Sequence, residues 1–157
     1  EVHSGVMIDG REPTPVNRPY YDDEFRRRVI PHKPEFERTR TGRILRSYGL
    51  ARVRGIGKYE RQWWFKGGSV EILDRIQGSG KHRIERRYVT STDVQAGDGY
   101  ALLSANGRRW RLRAEVTPTV KPATRWMAYG KGRPGNVITF GQTEKLPFQG
   151  KTVLERL

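Results

Sequence analysis

From Arg109 to Val116 the chain alternates without a break, with Trp110, Leu112, Ala114 and Val116 on one phase and Arg109, Arg111, Arg113 and Glu115 on the other. A period of two belongs to a strand with one face in a core and one in water. Just upstream, Asn106-Gly107 separates this run from the apolar stretch 100–105, and that dipeptide suits a two-residue hairpin turn. Asp9-Gly10, Gly67-Gly68, Gly78-Ser79-Gly80 and Gly97-Asp98-Gly99 punctuate further short runs. The pattern predicts strands over 2–8, 43–54, 58–65, 69–74, 81–91, 100–105, 108–116, 125–129, 136–141 and 151–155, and no helix longer than two turns. Short strands at this spacing predict an all-β chain, an antiparallel β-sandwich, with Trp110, Leu112, Val70, Ile72, Ile84 and Tyr88 buried between its sheets.

Residues 11–42 break the rhythm. Pro13, Pro15, Pro19, Pro31 and Pro34 forbid a long ladder or helix there, so this segment reads as a Pro- and charge-rich excursion before a strand-rich core over 43–157. The whole, 1–157, is one domain's worth of chain. Apolar residues make up 34% and mean hydropathy is −0.81, so the core is thin, and four Trp, seven Tyr and five Phe must supply much of it. With no Cys, disulfides and thiolate metal sites are excluded. No apolar run reaches the ~18 residues of a membrane span. The chain opens without Met or a signal-peptide pattern, directly on a strand-like run, and reads as part of a longer protein whose sandwich is incomplete at its N-terminal edge.

Charge narrows the partners. Thirty-one Lys and Arg against seventeen acids give a formal +14 and a pI near 10.6, a field that attracts polyanions. Arg52 and Arg54, then Arg83, Arg86 and Arg87, then Arg109, Arg111 and Arg113 recur in strand-like runs and are expected on an outer sheet face. The guanidinium fork grips carboxylate, sulfate and phosphate alike, so charge leaves both acidic glycan and nucleic acid open. A plain solvated sheet face is the bland account of the same arginines. Trp126 and Tyr129, flanked by Arg125 and Lys131, suit an exposed aromatic–cation contact, and of Trp63-Trp64 one ring is expected in the core and the other as a sugar platform, a binding residue or an interdomain contact. His82 is a candidate pH-sensitive donor. Gly78-Ser79-Gly80-Lys81 lacks the spacing of a phosphate loop and is followed by a strand, so it reads as a hairpin turn.

The order of these segments resembles that of heparinase II/III-type polysaccharide lyases. Val2-His3-Ser4-Gly5-Val6-Met7-Ile8-Asp9-Gly10-Arg11-Glu12 is similar to the strand that opens that family's sandwich, with Ser4 where Asn is usual. Tyr59-Glu60-Arg61, then Val70-Glu71-Ile72-Leu73-Asp74-Arg75-Ile76-Gln77-Gly78-Ser79-Gly80-Lys81-His82, resemble its basic strand and its Asp–x–apolar–x–Gly–x–Gly–x–His segment. Trp126-Met127-Ala128-Tyr129-Gly130 and Leu146-Pro147 resemble signatures near the C-termini of such proteins.

The resemblance implies a β-sandwich that follows an (α/α) toroid, in a periplasmic or secreted lyase that cleaves acidic, uronate-containing polysaccharide by β-elimination. It implies that the catalytic residues, including a proton-transferring Tyr, lie mostly in the toroid. It also implies that His3 is a metal ligand where an upstream His and Asp complete the set, so a divalent metal would belong to the intact parent. Elimination needs a base for the C5 proton, an acid for the leaving oxygen and a cation for the carboxylate. This chain offers cations and no evident base, and alone it is expected to be inactive. Arg52, Arg54, His82, Arg83, Arg86, Arg87, Arg109, Arg111, Arg113, Trp126 and Tyr129 are its candidate glycan-binding residues. The alternative is a stand-alone basic β module that binds nucleic acid.

Overall fold

The computed structural model describes residues 4–13, 23–29, 34–128 and 131–157. In chain order its elements are β1 (Gly5–Ile8), α1 (Asp23–Val29), β2 (Glu35–Arg38), β3 (Gly42–Ser47), a 3₁₀ turn (Gly49–Arg52), β4 (Ile56–Lys66), β5 (Ser69–Gly78) and β6 (Lys81–Thr90). Then follow β7 (Asp93–Gly97), β8 (Tyr100–Ala105), β9 (Arg108–Ala114), β10 (Thr119–Ala128), β11 (Lys131–Lys145) and β12 (Phe148–Arg156). They form two antiparallel sheets, a four-stranded one ordered β1-β6-β11-β10 and an eight-stranded one ordered β2-β3-β4-β5-β12-β9-β8-β7. The all-β antiparallel sandwich is as the alternation predicts.

Several boundaries differ, each for a local reason. The run 43–54 ends as a strand at Ser47, because the 3₁₀ turn carries Leu50 into the core with no exposure. Residues 125–128 of the expected segment 125–129, and all of 136–141, fall within longer strands, β10 and β11, despite Pro122 and Pro134. Both prolines sit where one strand edge is free: β10 ends its sheet, and β11 meets β6 only from Asn136 onward. β2 and β7, which alternation did not reveal, are the two edge strands of the large sheet. Asn106 and Gly107, at φ 50° and 71°, form the expected tight turn between β8 and β9.

Gly78-Ser79-Gly80 is not a hairpin. β5 and β6 belong to different sheets, so this turn is a corner at which the chain crosses from one layer to the other. Gly78 permits it: a Cβ there would stand 2.1 Å from the Gly55 carbonyl oxygen. The corner fixes where the first residues of β6 emerge, and the candidate site is built on it.

Between the sheets lie two apolar clusters. One gathers Val6, Ile8, Leu50, Ile56, Ile84, Leu146 and Phe148, and the other is built on Ala101, Leu112, Ile138 and Phe140. Of the expected core residues, Ile72, Ile84 and Leu112 are buried, whereas Val70, Tyr88 and Trp110 are half-buried on the same inward phase. A belt of polar side chains separates the clusters, following the register Ile76/Asp74/Ile72 on β5 and Ile84/Arg86/Tyr88 on β6. In it Arg61 Nε and Nη2 donate to Asp74 Oδ1 and Oδ2 at 2.7 and 2.9 Å, and the Tyr59 hydroxyl donates to Oδ1 at 2.8 Å. Burial, and next the Asp74 carboxylate, hold the Tyr59 phenol well above its ordinary pKa, so it stays a donor.

Candidate polyanion-binding cleft

The turn after β1, the 3₁₀ segment and the β5–β6 corner meet at one end of the sandwich. Together they form a cleft of about 610 Å³ lined by Arg11, Arg52, Arg54, Lys81 and His82, with Asp9 the one carboxylate among the described residues. The corner places Lys81 and His82, and the 3₁₀ turn ending at Arg52 aims Arg52 and Arg54 at the same space. Arg52 donates to the Gly49 carbonyl at 3.3 Å and also to the Glu12 carbonyl. Its own burial, then the neighbouring charge of Arg11, lower its pKa. Cations held together against that repulsion make a place for an anion.

His82 is the hub. Its Nδ1 lies 2.8 Å from Asp9 Oδ2 and its Nε2 lies 3.0 Å from the Ser79 carbonyl oxygen. Both ring nitrogens therefore face acceptors, and the imidazolium is the form that satisfies both. In agreement, the hydrogen bond that His82 donates to Asp9 raises the His82 pKa, and that bond, then the one from the Arg83 amide, lowers that of Asp9. The other Asp9 oxygen accepts from the Arg83 amide at 2.9 Å. Gly80, at φ 95°, makes the fit possible, since a Cβ there would press to 3.0 Å on Nε2. So His82, when protonated, adds positive charge to the cleft, and it ties the turn after β1 to the corner. It is not a free base.

The remaining candidates go elsewhere. Arg83 lies beside the cleft on the outer face of its sheet, 3.5 Å from Glu85. Arg86 does not lie on an outer face. It is fully buried, because the even-numbered phase of β6 points inward, and the far sheet supplies its partners. Its Nη1 donates to the Lys151 carbonyl at 3.0 Å and to Thr152 Oγ1 at 3.2 Å, while Nη2 meets Glu115 Oε1 at 2.6 Å. The guanidinium stands 5.9 Å from both the Phe140 and the Phe148 ring. It is a staple between the sheets. Arg87 is mostly covered and pairs with Glu12 at 3.6 Å. Arg111 and Arg113 share Glu155 at 2.8 and 3.4 Å on the outer face of the large sheet, and Arg109 is exposed on the same face.

His3 and Tyr129 lie outside the described residues, as does the side chain of Trp126. Among the described residues no three His, Cys, Asp or Glu side chains converge as metal ligands would, so no metal site is built on them here. Reasoning on the sequence missed Arg11 and Lys81 as members of the cleft. Their signal was adjacency to turns, Asp9-Gly10 and Gly78-Ser79-Gly80, and only the sheet crossing brings those two turns together.

No family model matches the chain, and no curated protein is similar to it in sequence. Solved structures are similar in fold. The heparinase III BT4657 gene product aligns with a TM-score of 0.60 at 16% identity, over 78% of this chain and 21% of that one. The heparan sulfate lyase HepC from Pedobacter heparinus aligns with a TM-score of 0.60 at 10% identity over the same shares. A structure of heparinase III gives 0.55 at 16%, over 80% and 21%. The chain thus spans about a fifth of the length of the proteins whose fold it shares. Among the described residues, no helix is long and apolar enough to cross a membrane.

Proposed function

We propose that this chain is the C-terminal β-sandwich of a heparinase II/III-like polysaccharide lyase, periplasmic or secreted. In this reading it supports an (α/α) toroid that performs β-elimination on acidic, uronate-containing glycans. The cleft around His82 holds an anionic group of the glycan. The observation that carries the reading is the convergence of Arg11, Arg52, Arg54, Lys81 and His82 around Asp9, on a sandwich whose fold neighbours include a heparan sulfate lyase. Guanidinium forks match carboxylate and sulfate oxygens two at a time, and the cleft's polar rim leaves them hydrated and free to exchange counterions.

The test is titration of the 157-residue chain with heparan sulfate, across a series of salt concentrations, against neutral dextran. Binding is expected to weaken steeply with salt. Arg54→Ala with Lys81→Ala, both exposed side chains, is expected to weaken it about tenfold or more, the equivalent of about 1.4 kcal/mol. Equal affinity for dextran, or an unchanged double variant, defeats the reading. Much tighter, base-selective binding of single-stranded DNA replaces it with a nucleic-acid module.

A further inference from the structure

At the opposite end of β5 from the cleft, the inward face of the large sheet runs out beyond the cover of the small one. Phe65 is 56% exposed there, and Val70, Leu154 and Trp110 are half-buried beside it. Register joins them: Phe65 pairs with Val70, Val70 with Leu154, and in the next row Trp110 with Arg156. They line an open groove of about 390 Å³, within the range of ligand pockets, and among the described residues no carboxylate lines it. Lys66 lies at its edge with its ammonium held 3.1 Å from Glu71 Oε1, and Arg156, exposed, flanks Trp110. One row nearer the centre, Trp63 pairs across the strands with Arg43.

We infer that this groove is a second saccharide subsite, one that lays a short stretch of acidic glycan across Phe65 and Trp110 and holds an anionic substituent with Arg156. An apolar floor matches the C–H face of a pyranose, and the exposed Arg156 guanidinium beside Trp110 matches a carboxylate or sulfate. That combination separates it from the cleft around His82, which has charge and no aromatic floor. The ten residues of β5 place the two sites about 30 Å apart, so only a glycan longer than that can engage both. The inference rests on the acidic-glycan reading for its ligand class, and on the groove alone for its place.

The experiment titrates the 157-residue chain with size-defined heparan sulfate oligosaccharides, those shorter than about 30 Å and those longer, reading affinity by calorimetry and ring contact by tryptophan emission. Longer oligosaccharides are expected to bind more tightly than short ones, with a change in tryptophan emission that survives in Arg54→Ala/Lys81→Ala. Phe65→Ala/Arg156→Ala is expected to abolish that change and weaken the long oligosaccharides about tenfold. Arg156→Ala alone, which removes no packed side chain, is expected to shift affinity the same way, and this guards against a folding artefact. If the groove variants bind as wild type while the cleft variant does not, the groove is overturned and the cleft reading stands. Loss of all binding and emission change in the cleft variant also overturns it. So does preferential binding of single-stranded DNA, or a dimer in light scattering that Phe65→Ala disperses.

Discussion

Arg61 and Asp74 face each other across β4 and β5 and share a two-pronged ion pair, 2.7 and 2.9 Å long, with 5% and 0% of their surfaces exposed. They sit in the belt that divides the two apolar clusters, beneath the rings of Trp63 and Tyr88, which lie 6.0 and 5.5 Å from the guanidinium carbon. A pair in such a place contributes little net stability against an apolar replacement, but neither charge tolerates losing the other.

Removing one partner is therefore expected to cost far more than removing both. Arg61→Met leaves the Asp74 carboxylate buried with the Tyr59 hydroxyl as its remaining side-chain donor, and a loss of about 3–5 kcal/mol is expected. Arg61→Met with Asp74→Leu should recover a large part of it. Urea unfolding of the two single variants and the double variant checks this, and simple additivity would refute the coupling.

Gly150 makes room for the second buried arginine. A Cβ there would come within 2.5 Å of the Phe148 ring and 2.9 Å of Arg86 Nη1, both held in the interior. Gly150→Ala is expected to destabilise by about 1–3 kcal/mol through overpacking, although alanine suits a strand better than glycine does. A neutral or stabilising effect in the same unfolding assay would show that the Phe148 ring and Arg86 yield freely.

The Asp9–His82 pair sets a pH window. The His82 pKa is raised, so its contribution is whole below the ordinary imidazole value of 6.5 and is lost as pH rises through the folded-state value. The Asp9 pKa is lowered, so its contribution is present above 3.8 and is lost as pH falls through the folded-state value. The difference in melting temperature between wild type and His82→Gln should be largest between about pH 4 and 6.5 and should shrink above it. The effect is small, because the Asp9 side chain is 42% exposed and water screens the pair. A difference that grows toward alkaline pH would contradict the geometry.

What could be read ahead of the fold, and what could not, divides along contact range. The inward phase of β9 and the Asn106-Gly107 turn are local, since they need only alternation and one dipeptide. Arg86 shows the limit. Its position in phase with Ile84 and Tyr88 already pointed inward, yet a charge is buried only where partners await it. Those partners, Glu115, Lys151 and Thr152, come from residues 29 to 66 places away. The cleft was half legible: Arg52, Arg54 and His82 were singled out, but Asp9 lies 73 residues from His82, and nothing local announces their meeting. The crossing at Gly78–Gly80 was misread because a glycine-rich turn looks the same whether it joins neighbouring strands or two sheets.

The last prediction concerns chemistry. Elimination at a uronate needs a group free to take the C5 proton. In the cleft, His82 has both ring nitrogens committed, and Asp9 is bound to His82 and to the Arg83 amide. Tyr59 is buried with its hydroxyl on Asp74. The cations there can neutralise a carboxylate without removing a proton, so the 157-residue chain alone is expected to bind acidic glycan and leave it uncut. An ultraviolet assay for the unsaturated uronate product on heparan sulfate measures this directly. Robust product formation that His3→Ala abolishes would move the catalytic centre to the strand that opens the chain.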